Sequence, residues 1–176
     1  LVSWARRSAY VTVSKLTEDC FVTPIAWPSR PKRVGFSADF GGHIPVAADV
    51  IDLIAKTCGF FVDLGCEVDA ACPDLSGARD AFHILRAASF ARRHGPGVRR
   101  NPNDYKKTIV WNVEAGLALN DTDVQRALQQ QIALIARFNV FFEHFDFLIT
   151  PVVQVLPFDA ELEYVTAIEG KPMQND

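Results

Sequence analysis

Arg33-Val34-Gly35-Phe36-Ser37-Ala38-Asp39-Phe40-Gly41-Gly42 is the stretch on which the fold turns. A short apolar run from Val34 to Phe36 enters a cluster of turn formers, Asp39, Gly41 and Gly42, as a buried strand entering a loop does. Pro45 then precedes Val46, Val50, Leu53, Ile54, Thr57, Phe61 and Leu64. Their intervals of three and four place them on one stripe of a helix. Gly65 stands where a helix C-terminal cap belongs. Cys66 to Ala71 is a second short extended run, closed by Pro73. Strand, helix and strand in this order predict a βαβ unit with parallel strands and a right-handed crossover.

Further along, a helix is expected to start between Asp74 and Gly77, with Ala78, Phe82, Leu85 and Ala88 or Ser89 facing the core. Gly95-Pro96-Gly97 is the expected stop. Arg92, Arg93, Arg99, Arg100, Lys106 and Lys107, relieved only by Asp104, then read as a basic loop. A helix is predicted over Thr108 to Ala118. Asp121-Thr122-Asp123 supplies the start signal of the longest helix. Its expected stripe is Val124, Leu128, Ile132, Ile135, Phe138, Phe142 and Phe145, with Gln125, Gln129, Arg137 and Glu143 opposite. Phe147 to Thr150 is a strand ended by Pro151. Upstream, Val11 and Val13 suggest a short strand, while Pro24, Pro28 and Pro31 make residues 1–31 a turn-rich connector. Short apolar strands separated by helices predict an α/β layer structure rather than an antiparallel sandwich.

Composition sets outer bounds. The chain has 176 residues, 49% of them hydrophobic, with 13 Phe and a net charge of −3. A domain of this length can bury about 70% of its unfolded surface without staples. An acidic balance argues against nucleic acid or an anionic membrane as the main partner. The apolar run from Phe147 to Phe158 is broken by Pro151 and Pro157 and falls short of a membrane span. Cys20, Cys58, Cys66 and Cys72 contain no CxxC pair and share no ligand spacing with histidine. Reduced, mostly buried thiols, no metal, no cofactor and a cytoplasmic location are therefore expected.

Self-contained chemistry is sparse. No cysteine sits at a strand-to-helix elbow beside a histidine, so a thiol nucleophile with His83 or His94 is disfavoured. His144, at the end of the longest helix, suits the C-terminal dipole better than catalysis. The basic segment carries one aromatic, Tyr105, and reads as a solvated face or an intramolecular partner rather than an RNA site. GxGxxG, GxxxxGK[ST] and GxSxG are all absent.

Four stretches, in order, resemble the amidase signature family of Ser-Ser-Lys amide hydrolases. They are Arg33 to Gly42, the unit Leu64-Gly65-Cys66-Glu67-Val68, the segment Val110-Trp111-Asn112-Val113-Glu114-Ala115-Gly116, and Phe145-Asp146-Phe147-Leu148-Ile149-Thr150-Pro151. Thr150-Pro151 reverses the family's commoner Pro-Thr order. The resemblance covers roughly residues 32 to 173. It implies a partial α/β/α sandwich of the amidase-signature type, with a βαβ unit and a long amphipathic helix leading into a further strand. It divides the chain into a 1–31 connector and a 32–176 C-terminal portion of an amidase-like domain. The family's nucleophilic serine, bridging serine and lysine base belong to motifs upstream of this region, and no Ser-Ser pair or Gly-Ser-Ser-Gly run occurs here. No catalytic residue carries over.

The expectation is therefore a non-catalytic portion of a hydrolase acting on carbon–nitrogen bonds of linear amides, with a small amide as substrate of the complete enzyme. A stand-alone α/β binding or scaffolding module is the alternative. Thr150 and Pro151, at a strand's carboxyl end, and Trp111, Asn112 and Glu114, on a helix, are the candidate pocket residues, with packing as the competing role for each. Strands left without neighbours predict self-association or homo-oligomerisation.

Overall fold

The computed structural model describes residues 32–173. Residues 1–31, with the expected Val11–Val13 strand and Cys20, lie outside the described part. The described residues form two compact units: 32–74 with 137–173, and 75–136.

The first unit is built on the stretch from Arg33 to Gly42. Strand β1 (Arg33–Phe36) is flanked on both sides by parallel partners, giving the order β2-β1-β3. Val34 pairs with Val68 of β2 (Glu67–Ala70) and with Phe147 of β3 (Phe147–Ile149). Val34 is fully buried, as a central strand between two neighbours requires. Helix α1 (Ala48–Asp63) joins β1 to β2, so the expected βαβ unit is present.

Helix α1 ends as its glycine predicts. Gly65 takes φ +80°, its N–H donates to Val62 O at 2.8 Å, and Cys66 N–H donates to Phe61 O at 2.9 Å, the two bonds of a Schellman cap. At the other end, Ala48 N–H is satisfied by Glu169 Oε1 at 3.0 Å. Glu169 sits with Gly170 in the tight turn of a small hairpin, β4 (Ala167–Ile168) and β5 (Lys171–Pro172). The expected α1 stripe needs correction, because Leu53 and Leu64 are exposed while Val46 and Val50 are buried. The inward face instead runs through Val50, Ile51, Ile54, Thr57, Cys58 and Phe61, which leaves Leu53 and Leu64 to one side of it.

Gly35 explains where the last helix lands. Helix α4 (Asp121–His144), which follows α2 (Ala78–Arg100) and α3 (Lys107–Leu117) in the chain, packs its Phe141 on the centre of the sheet. A Cβ on Gly35 would stand 2.5 Å from Phe141 Cζ. Phe141 stacks on Phe145 at 4.6 Å between centroids and meets Phe142 edge-on at 5.1 Å. Phe141 and Phe142, both buried, thus join Val34, Val46, Val50 and Ile168 in the core of this unit. Arg137, expected on the solvent side, instead donates through Nε to Asp74 O at 2.7 Å and lies 3.6 Å from Asp74 Oδ2. Beyond α4, buried Asp146 fastens β3 to β1. Its carboxylate accepts from Lys32 Nζ and from Arg33 N, each at 3.0 Å, and its own N–H donates to Arg33 O at 2.7 Å.

The second unit pairs α2 (Ala78–Arg100) with α3 (Lys107–Leu117) in antiparallel fashion. Here two expectations fail. Helix α2 does not stop at Gly95-Pro96-Gly97 but runs through it, so Arg92, Arg93, Arg99 and Arg100 are helical and only a 3₁₀ turn (Pro102–Asp104) precedes α3. These glycines serve close approach instead of termination. A Cβ at Gly97 would overlap the Tyr105 hydroxyl, and one at Gly116 would overlap the Ala87 carbonyl. Exposed Pro96 withholds a single helical N–H, a loss of about 3 kcal/mol that the tight helix pair offsets. The buried face of α2 is accordingly Ala81, Ala87, Gly95 and Val98, while Phe82 is 58% exposed.

The part of α4 within this unit begins at a reciprocal cap. Asn120 Oδ1 accepts from Asp123 N at 3.0 Å, and Asp123 Oδ2 accepts from Asn120 N at 3.3 Å. Its buried position is Ala127, while Leu128 and Ile132, both expected inside, are exposed.

Candidate functional site at the carboxyl ends of the strands

Three parallel strands bring three chain segments to one edge of the sheet. The ladder continues one residue past β1: Ser37 N–H donates to Ile149 O at 3.1 Å, and Ala71 N–H donates to Phe36 O at 3.0 Å. Since Phe36 is registered with Ile149, Ser37 and Thr150 stand side by side. Ser37 is buried and its Oγ accepts from Gly41 N–H at 3.1 Å. That bond folds the 37–44 turn back on the strand, and Ile44 N–H closes it on Asp39 O at 3.0 Å.

The turn carries three consecutive positive φ values, at Phe40 (54°), Gly41 (70°) and Gly42 (84°). Phe40 is a non-glycine residue in that region, where strain is stored at a cost of order 1 kcal/mol. A Cβ at Gly41 would stand 3.4 Å from Cys72 Sγ, so the half-buried thiol borders the same turn. Thr150 Oγ1 is buried and has no hydrogen-bond partner among the described residues. Beyond Pro151, Gln154 Nε2 donates to Pro45 O at 2.9 Å and Gln154 O accepts from Ala47 N at 2.8 Å, fixing the following loop beside the start of α1.

Chemically, this edge offers two hydroxyls, a thiol and the Asp39 carboxylate. Nucleophilic serine needs a base within hydrogen-bond reach of Oγ. The partner recorded for Ser37 Oγ is a backbone donor, which cannot accept its proton. Among the described residues, the arrangement offers groups that can bind and orient a ligand, and no base is bonded to Ser37 Oγ.

The remaining sequence candidates lie in the second unit. Trp111 is 51% exposed and Glu114 is exposed, three residues apart on the outer face of α3. Asn112 points the other way and is buried, donating through Nδ2 to Thr108 O at 2.8 Å, with Oδ1 left without a partner among the described residues. Of the predicted residues, Thr150 and Pro151 therefore share the strand edge, while Trp111, Asn112 and Glu114 belong to α3. The sequence does not single out Ser37 as the neighbour of Thr150, nor Cys72 as the neighbour of the Gly41 turn. The first follows from the β1–β3 register and the second from β2 lying on the other side of β1, which no local pattern encodes.

Among the described residues no group of three or more His, Cys, Asp or Glu converges on a metal-sized site. Burial raises the Cys58 thiol above its ordinary 9.0, against a weaker opposing bond to the backbone. His144 is the last residue of α4 and exposed.

A parallel β2-β1-β3 sheet, a βαβ unit and a long helix entering β3 define an α/β fold, and it is the one found in part of the amidase signature enzymes. The structure of a bacterial aryl acylamidase of the amidase signature family is similar to this chain with a TM-score of 0.68 over 82% of its length, at 18% identity. A solved amidase structure is similar with a TM-score of 0.72 over 83%, at 21% identity. The chain spans 32% and 33% of those two proteins, about a third of each. At the level of sequence, no family model and no curated protein matches the chain.

Proposed function

We propose that residues 32–173 are the non-catalytic C-terminal portion of an amidase-type hydrolase, acting with a catalytic portion on carbon–nitrogen bonds of linear amides. One observation carries this reading: more than four-fifths of the chain follows the fold of two amidases while accounting for a third of their length. The chemistry of the strand edge agrees, since among the described residues no base bonds Ser37 Oγ, and the sequence holds no Ser-Ser pair. In this reading Thr150 and Pro151 contribute ligand-contacting groups at the end of β3, Trp111 and Glu114 offer an outer helical face, and Asn112 serves packing.

Two measurements test it together. The purified chain is incubated with aryl and aliphatic amides, and no turnover is expected, because loss of a nucleophile–base unit costs orders of magnitude in rate. The gene is read in frame upstream of Leu1, where a Gly-Ser-Ser-Gly run is expected. Turnover that survives repurification and is blocked by a serine-directed acylating reagent would sink the non-catalytic assignment. A frame without that run would sink the amidase assignment and leave a stand-alone module.

A further inference from the structure

Arg92, Arg93, Arg99, Arg100, Lys106 and Lys107 are all exposed, and none of them forms an ion pair among the described residues. Because α2 runs through Pro96, these cations are not spread over a loop. Arg92 and Arg99, and likewise Arg93 and Arg100, are seven residues apart and fall on the same helical face, about 10 Å apart along the axis. The contact of Tyr105 with Gly97 folds the start of α3 back against the end of α2, adding Lys106 and Lys107 to the strip. Only Asp104 opposes six cations.

Helix electrostatics account for two of the six. Arg99 and Arg100 occupy the last turn of α2, where the dipole favours cations. Lys106 and Lys107 sit at the N-terminal end of α3, the unfavourable end, with no acidic residue in the first turn and no side-chain cap. An external anionic group is what this strip lacks.

The chain itself carries one of matching sign. Asp159, Glu161 and Glu163 alternate through an exposed loop with no cation between Pro157 and Tyr164. The loop has a defined shape: Asp159 Oδ1 accepts from Glu161 N at 3.0 Å and Asp159 O accepts from Leu162 N at 3.0 Å. Leu162, 55% exposed, and Tyr164 flank the carboxylates with apolar surface. From this charge complementarity we infer that two copies of the chain associate, the 159–163 loop of one seated on the α2–α3 basic strip of the other.

Sedimentation and light scattering across protein concentration, at about 20 mM and about 300 mM salt, test it, since screening shortens from tens of ångströms to a few. Association at low salt, weakened at least tenfold at high salt, is expected. The quadruple variant R92E/R93E/R99E/R100E and the triple variant D159K/E161K/E163K should each be monomeric at low salt. Mixed one to one, they should associate with each other, because one contact keeps its native signs and the other is restored with both signs reversed. All these substitutions are at exposed positions, so circular dichroism should match the parent. A parent that is monomeric at low salt overturns the proposal, and if an oligonucleotide retains it the strip belongs to nucleic acid. Association that strengthens with salt, or that survives either reversal, assigns it to apolar surface and equally overturns the proposal. So does a mixture that stays monomeric.

Discussion

Gly35 and Phe141 are complementary at the scale of single atoms: the strand omits a side chain where the helix inserts a ring. Gly35→Ala should cost about 1–3 kcal/mol by overpacking, and Phe141→Ala about 3–5 kcal/mol by leaving a cavity. The double variant should cost less than the sum of the two, because the new methyl fills part of the space the ring vacates. Urea melts of the four proteins measure this, and simple additivity would mean that the two residues do not touch. Arg137 is a second residue whose role lies in its contact. Its bond to the Asp74 carbonyl predicts that Arg137→Ala costs about 1–2 kcal/mol, where a solvent-facing arginine would cost under about 0.5 kcal/mol. Cys58 gives a pH signature. Its folded-state pKa is raised, so the native chain holds the thiol proton more tightly than the unfolded chain does. That contribution is fully present below 9.0 and lost as pH rises through the higher folded value. Iodoacetamide should therefore modify Cys58 more slowly in the native protein than in urea at pH 8, read by peptide mass mapping, and equal rates would rule the shift out.

At the scale of elements, the α2–α3 pair is held by what its residues lack. Gly116→Ala should help an isolated helix by about 1 kcal/mol. Here the added Cβ would meet the Ala87 carbonyl, a backbone atom that cannot swing aside, so a net loss of about 2–3 kcal/mol is expected. A denaturant melt gives the sign, and stabilisation would refute the close approach. The same interface shows why the sequence misled in this region. Ala87, Ala91 and Gly95 carry little hydropathy, so a stripe through Phe82 stands out in the sequence, and Gly95-Pro96-Gly97 has the pattern of punctuation. Strand β1, its turn, the Gly65 cap and the start of α4 were legible because each is a local pattern of a few residues. The phases of α1 and α4 were not, since each helix carries more apolar residues than one face can bury. Thr150 was legible from the proline that ends its strand; the neighbouring Ser37 was not, because a register between residues more than a hundred positions apart leaves no local mark.

Over the whole molecule, the balance of apolar residues is unusual for a finished surface. Phe60 is 69% exposed and Val152 90%, and Leu53, Leu64, Phe82, Ile132, Val153 and Phe158 are exposed as well. Soluble monomers rarely leave contiguous apolar patches beyond a few hundred Å². The proposed place of this chain in a larger amidase-type fold gives these residues a reason, since further segments of such a fold would lie against some of its faces. No described helix is long and apolar enough to cross a membrane, so a bilayer-spanning helix does not account for them. The native chain should consequently bind anilinonaphthalene sulfonate with strong fluorescence enhancement while still unfolding in one or two cooperative steps in urea. Cooperativity separates this outcome from a molten state, which binds the dye but has lost fixed packing. Dye binding should fall when Phe60 and Leu64 are replaced together by serine, with the urea midpoint little changed, because both side chains already face water. A native chain that ignores the dye would show that these residues are covered in solution, and the fragment-of-a-larger-fold reading would lose its strongest physical support.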